Sequence, residues 1–525
     1  MMVTRTFFTI KHTNYDEVLS ILNKLKNDCS SGYDNIPVRY LKPVNEYLVS
    51  PLVNIINNSI DNHIFPDKWK IARVSPVPKI DHPTKLTDYR PISILPVLSK
   101  VYERVILSQL CQFIERNSLY RPNQSGFRKG HTTTTLLLKL RDDIIQAMSK
   151  SEVTLSILID YSKAFDTIDH CTLIEKLKKL NFSNKSLKII MSYLSNRQQF
   201  VQVNDKRSPI QAIHFGVPQG SILGPVLFNL YVAELSDQIS SLSIQYADDA
   251  TLYRHSRIRD ILRCIREIET DIETLSTWSA DHNLLFNPDK LQYIIFSTKR
   301  LASLHKFCID HSYLISCSKK SIEQKDVVKL LGLHFDKNLS WCDHINSIIK
   351  SSHATIRALR NFQRFTPFKV RKSLAEALVI SKITYSIVVF GQIPDYLLNR
   401  LQRIQNIAAG YVFNRYASMK DIVELQWLPI KELIEFNVSK LVHKALNDEK
   451  WPSYLTVAKI VQARELRSQD EGVKVDYGLS KTFQDQAKAF NDLPKNIRDI
   501  KNLNEFVKES KSFYKGRARV RVSQQ

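Results

Sequence analysis

The stretch Leu242-Ser243-Ile244-Gln245-Tyr246-Ala247-Asp248-Asp249-Ala250-Thr251-Leu252-Tyr253 decides how this chain is read. Apolar residues alternate on both sides of a Tyr-Ala-Asp-Asp centre, the two-residue period of a β-hairpin whose tip carries adjacent carboxylates. Upstream, Leu155-Ser156-Ile157-Leu158-Ile159 is a compact apolar run with the composition of a buried strand, and it ends at Asp160. A carboxylate beside an apolar strand is costly unless it is paired, hydrogen-bonded or bound to a cation. Three of them on neighbouring strands repel one another, and a pair of Mg2+ ions, which choose oxygen ligands, resolves that. Two ions roughly 3.5–4 Å apart are a standard device for phosphoryl displacement. One lowers the pKa of an attacking 3′-hydroxyl; the other stabilises departing pyrophosphate. An isolated Asp-Asp pair usually does no more than cap a turn, and the strand-ending Asp160 is what moves the reading towards chemistry.

Working outward, the chain has 525 residues, 43% of them hydrophobic and 24% charged, which excludes wholesale disorder, collagen and a coiled-coil rod. A chain this long buries a large core without disulfide or metal staples. No apolar run is long enough to span a membrane; the best, around 383–390, is far too short. The N-terminus lacks an apolar signal core. Seven Cys without CxxC pairs read as reduced thiols of an intracellular protein, in nucleus and cytoplasm, with no zinc site. Lys and Arg total 75 against 52 Asp and Glu, a net charge of +23, which favours a polyanionic partner, nucleic acid above all.

Periodicity predicts strands at 73–79 and 89–95, helices at 98–117, 132–148, 173–180 and 185–194, a strand pair from 200–203 and 212–215, an apolar helix at 221–235 and a long amphipathic helix at 258–283. Beyond about 335 the pattern is almost wholly helical. The last stretch, 501–525, reads as a basic tail.

Several further segments stand in a fixed order: Ser31-Gly32-Tyr33-Asp34-Asn35-Ile36-Pro37, Asp88-Tyr89-Arg90-Pro91-Ile92-Ser93, Gln124-Ser125-Gly126-Phe127-Arg128-Lys129-Gly130-His131, Asp160-Tyr161-Ser162-Lys163-Ala164-Phe165-Asp166, Gly216-Val217-Pro218-Gln219-Gly220-Ser221, the Tyr246-Ala247-Asp248-Asp249 centre, Asn287-Pro288-Asp289-Lys290, and Leu330-Leu331-Gly332-Leu333. Together they resemble the reverse transcriptases of non-LTR retrotransposons of the jockey/CR1-like group. The resemblance implies that Asp160 and Asp248 ligate two Mg2+ ions (Mn2+ being an alternative), with the Tyr161 carbonyl assisting and Asp249 adding charge beside them. It makes Phe165 the steric gate that excludes a 2′-hydroxyl, the competing role being core packing. Lys79 and Arg90 grip the incoming triphosphate. Gln219 and Gly220 pass under the template base and sugar, Gly permitting close backbone approach. Lys290 protonates departing pyrophosphate, the alternative being a solvated surface lysine. Asp166, Asp169 and His170 read as caps of the helix starting near Leu173.

The resemblance also implies an α+β right-hand polymerase: fingers, a palm with an antiparallel sheet, a helical thumb and a C-terminal helical extension. The expected division is an N-terminal helical segment at 1–68, fingers and palm at 69–330, thumb at 331–400 and a helical basic region at 401–525. Within it the fingers fall at roughly 30–150 and 173–210, and the palm at 151–172 and 211–330. Template RNA, primer or target DNA and dNTPs are the implied partners. The family's N-terminal endonuclease finds no room ahead of the first motif, which suggests a truncated copy or a fragment. Two competing expectations are a catalytically inactive nucleic-acid-binding relic of the same fold and a group II intron maturase-like protein, whose own segments are not recognisable.

Overall fold

The computed structural model describes residues 7–304, 315–317, 320–455, 458–460, 474–476 and 488–524. It is a mixed helix-and-sheet architecture built on two main sheets. The first takes β1 (Ile71–Pro78) and β2 (Tyr89–Ile94), then β4 (Arg197–Val203), β5 (Lys206–Arg207) and β6 (Gln211–Ile213). In it β1 runs antiparallel to β2 and parallel to β4, while β5 and β6 both pair with β4. The expected pairing of two strands near 200 and 213 is therefore present, with Arg197 opposite Ile213. Strand β6 lies in the first sheet because its ladder partner is β4.

The second sheet holds β3 (Val153–Ser162), β7 (Leu242–Tyr246), β8 (Asp249–Ser256), β9 (Leu285–Phe286), β10 (Gln292–Phe296), β11 (Ile315–Cys317) and β12 (Lys320–Gln324), in the order β11-β12-β10-β3-β8-β7 with β9 also on β3. All its pairings are antiparallel except β10 with β12. Both faces are covered, which explains why β3 reads as a continuous apolar run. Leu155, Ile157, Ile159, Ala250, Leu252, Tyr293 and Ile295 enter one core with the N-terminal helices and helix Ile261–Asp281. The alternate residues Tyr253, Ile294, Phe296 and Ile244 enter another with the C-terminal helices. Helix Thr133–Ser149 lays Leu136, Leu137, Leu140 and Ile144 into this second core, so it roofs the second sheet instead of joining the first.

Two short ladders lie outside these sheets: β13 (Val327–Leu330) with β14 (Leu333–Asp336), and β15 (Ala458–Ile460) with β16 (Lys474–Asp476). The latter interrupts the otherwise helical second half. The expected basic tail is instead helix Leu503–Ser523, packed on helix Ile430–Asn447. Its polar outer face made it read as a tail, but Phe506, Tyr514 and Ala518 recur at helical spacing and are buried. Trp278, Trp341 and Trp427 are all core residues. Among the described residues no helix is long and apolar enough to cross a membrane.

Candidate active site

The geometry of the site follows from strand register. Asp160 stands directly opposite Asp249 on the β3–β8 ladder, so the two side chains share one face of the sheet. Strands β7 and β8 are joined by the two-residue turn Ala247-Asp248, closed by the pair Tyr246 and Asp249. That turn places Asp248 next to the cross-strand pair. Strand β3 does not stop at the first acid, as the apolar run alone suggested; it continues to Ser162, and Tyr161 pairs with Phe286 of β9. The Tyr161 ring is buried against Phe286. Asp160 is thus held in mid-strand rather than at a frayed end.

The three carboxylates act on one another. Desolvation, and then the Asp248 and Asp160 charges, push the Asp249 carboxyl up to about 6, although its side chain remains open to solvent. Asp248 is also raised, by burial first and by Asp160 among the rest. The Arg90 guanidinium opposes both shifts, which brings the first sheet's β2 to bear on the acid cluster. Lys290, after the short β9 strand, donates from Nζ to Asp160 Oδ2 at 2.8 Å. Asp160, Asp249 and Lys290 line a cavity of about 230 Å³, walled by Leu136, Tyr246 and Leu331 among others.

The remaining predicted residues fall into two groups. Lys79 directly follows β1 and Arg90 lies within β2 opposite Val77; Lys79 N donates to the Asp88 carbonyl and Lys79 Nζ to the Thr87 carbonyl. Phe165 is half-buried, stacked on Phe228 at 4.5 Å and edge-on to Phe127 at 6.1 Å, and its carbonyl accepts from Val217 N. Its ring is therefore anchored by packing on the loop that follows β3. Gln219 Nε2 donates to both oxygens of Asp166, at 2.9 and 3.0 Å, and its carbonyl accepts from Ser93 N. That corrects the reading of Asp166 as a cap. The cap of helix His170–Lys179 is Asp169, which accepts from Thr172 N, while His170 Nε2 meets the Gly216 carbonyl. Gly220 has φ +113, and a Cβ there would lie 2.6 Å from the Ser93 carbonyl oxygen. The close approach that requires glycine is thus to β2 of the first sheet.

One buried group was missed. Glu103, wholly buried in helix Val97–Arg116, accepts from Ile222 N at 2.8 Å, Leu223 N at 3.1 Å and Tyr193 Oη at 3.1 Å. It satisfies the free amides ahead of helix Gly224–Tyr231 and so fixes the loop carrying Gln219. Its position inside an apolar helical stripe was the available signal.

Oxygen donors of hard character make the cluster suited to a divalent cation. Among the described residues no three acidic, imidazole or thiol side chains are already drawn together tightly enough to enclose an ion. The ammonium of Lys290 pairs with Asp160 at the edge of the cluster.

Residues 77–335 match the family model described as reverse transcriptase (RNA-dependent DNA polymerase). The chain is similar to the probable RNA-directed DNA polymerase from transposon BS of Drosophila melanogaster, 29% identical over 412 residues that cover 76% of this chain and 44% of that protein. It is 26% identical over 402 residues to the RNA-directed DNA polymerase from mobile element jockey of the same species, covering 74% of this chain and 43% of the relative. The X-element polymerase, 26% identical over 409 residues, gives 75% and 43%. The chain thus matches less than half the length of these relatives. Within that span, residues 77–335 are a reverse transcriptase domain of the kind carried by non-LTR mobile elements.

Proposed function

We propose that this chain is an RNA-directed DNA polymerase that adds dNTPs to a primer 3′-hydroxyl on an RNA template. The observation that carries the proposal is the register placing Asp160 against Asp249, with Asp248 at the adjoining turn. The second sheet serves as palm, the first as fingers, and the helices after β14 as thumb and extension. In the reaction the primer 3′-hydroxyl loses its proton to solvent, its oxygen forms a bond to the α-phosphorus, the bond from that phosphorus to the α,β-bridging oxygen breaks, and pyrophosphate leaves. Asp160 and Asp248, with Asp249 beside them and the Tyr161 carbonyl assisting, are the residues that would hold two Mg2+ ions, with Mn2+ as a substitute; when bound, such ions would supply acidification of the hydroxyl and charge neutralisation at the leaving group.

The protein's own part is mostly positioning and charge. Arg90, whose charge acts on Asp248 and Asp249, and Lys79 bind the triphosphate. Phe165, braced by Phe228, closes the space that a 2′-hydroxyl needs. Gln219, clamped by Asp166, and the adjacent Gly220 support the templating nucleotide. Lys290 exchanges Asp160 for the departing pyrophosphate and gives it the Nζ proton. The net charge of +23 suits backbone contacts that are salt-sensitive and largely independent of sequence.

Primer extension on poly(rA)/oligo(dT) with Mg2+ tests the proposal. Incorporation that disappears in Asp248→Ala supports it. No incorporation by the native sequence overturns it in favour of a non-catalytic nucleic-acid-binding relic, and activity that survives Asp248→Ala overturns it by removing the acid cluster from the chemistry.

A further inference from the structure

The seam between the C-terminal helical region and the catalytic hairpin has an unusual construction. The turn residue Ala247 has φ +58, a left-handed conformation that costs a non-glycine residue energy and persists where its surroundings over-determine it. The surroundings here are the loop 123–131. Ser125 N donates to the Gln245 carbonyl at 2.9 Å, and Gln245 N donates to the Asn123 carbonyl at 2.9 Å. Gly126 presses so closely on the Ala247 backbone that a Cβ has no room.

The opposite edge of that loop is held from far along the chain. The hydroxyl of Tyr454 lies 2.8 Å from Ser125 Oγ, across 329 residues of sequence. The Tyr454 ring is edge-on to His131 at 5.7 Å. Gly130, at φ +82, sits against the Lys450 carbonyl with no space for a Cβ. Lys450 Nζ in turn reaches the Glu115 carboxylate at 3.0 Å. Two glycine-only contacts therefore bound one wedge, the first on the catalytic turn and the second on the C-terminal region.

We propose that the segment around Lys450 and Tyr454 is a strut, and that Tyr454 is a positioning residue which, through Ser125, holds the Ala247-Asp248 turn in place against Asp160. A wedge without slack transmits displacement, because close-packed contacts shift as a unit. Activity would then depend on a part of the chain that lies beyond the matched polymerase domain. The strut follows from contacts alone; only its effect on catalysis rests on the polymerase reading.

The test uses the full chain with Tyr454→Phe, Ser125→Ala and the double variant. Tyr454→Phe keeps the ring against His131 and removes only the hydroxyl. Gly130→Ala, which forces the Lys450 backbone away, is a second route to the same displacement. Hydrogen exchange at residues 247–249 is expected to rise about tenfold in each single variant, in line with one lost buried hydrogen bond. The double variant goes no further than Ser125→Ala alone, which also frees His131 Nδ1 at 3.0 Å, because the Tyr454–Ser125 contact is already lost in either single variant. Exchange in β1 and β2 stays unchanged. The kcat for dNTP addition falls about tenfold, while KM for dNTP and template–primer affinity hold. Unchanged exchange at the turn, additive effects in the double variant, or a rise spread evenly over the chain overturns the strut, as does an unaltered kcat in an active enzyme. If the native sequence adds no nucleotide yet the turn still loosens, the strut stands and the polymerase reading falls.

Discussion

Neutralising one carboxylate of the cluster should make the metal-free protein more stable while it disables the site. Asp249 is raised from the ordinary 3.8 to about 6, by desolvation first and then by its two acidic neighbours. A folded-state pKa above the unfolded value means that folding favours the protonated form. The associated penalty is absent below about 4, grows as pH rises, and is fully present above about 6. The shift sets a ceiling of about 3 kcal/mol at neutral pH. Asp249 is exposed to solvent, and screening reduces this to about 1 kcal/mol. Asp249→Asn should therefore melt higher than the native sequence by roughly 1–2 °C at pH 7.5 in chelator, given the chain's size. The difference should vanish near pH 4. Added Mg2+ should reverse it, because only the native cluster gains binding free energy from the ion. Thermal melts at the two pH values, with chelator and with Mg2+, check each arm. An Asn variant that is less stable in chelator at pH 7.5, or whose advantage ignores pH, would refute the claim that these carboxylates repel one another.

Three further outcomes follow from other contacts. Phe165→Ala should raise ribonucleotide incorporation relative to deoxyribonucleotide by about tenfold or more, read as the ratio of kcat/KM values, with the melting temperature lowered by loss of the Phe228 stack; an unchanged ratio assigns Phe165 to packing alone. Glu103→Leu strands the Ile222 and Leu223 amides and should cost on the order of 3 kcal/mol in denaturant unfolding; a cost near zero means those amides find other partners. His344 is buried, and desolvation, with His334 nearby, holds it down at about 4. The stability this represents is complete above about 6.5 and is lost as pH falls towards 4, up to about 3 kcal/mol; His344→Asn should flatten that slope in pH-dependent melts.

The local grammar of this chain was readable without coordinates. Period-two alternation marked β7 and β8, and the apolar run marked β3. Helical spacing placed the helices at Val97–Arg116 and Thr133–Ser149 to within a residue or two. These signals are local because each residue's face is set by its immediate neighbours along the backbone. The same locality misled at Asp160, where a charge ended the apolar run but not the strand, since pairing with Leu285–Phe286 carries β3 onward. It also misled at 501–525, where basic residues on one face concealed a buried stripe on the other.

What the sequence by itself determined was the kind of element each segment forms and the carboxylates it presents. What only the tertiary structure decided was which of those groups meet: Asp160 with Asp249 and Lys290, Asp166 with Gln219, Glu103 with the amides of 222 and 223, and Tyr454 with Ser125. Alternation shows that a strand has a buried face but does not name the strand beside it. Partner and register are set by how the whole chain closes its two cores around the second sheet, and that is a property of packing between residues hundreds of positions apart.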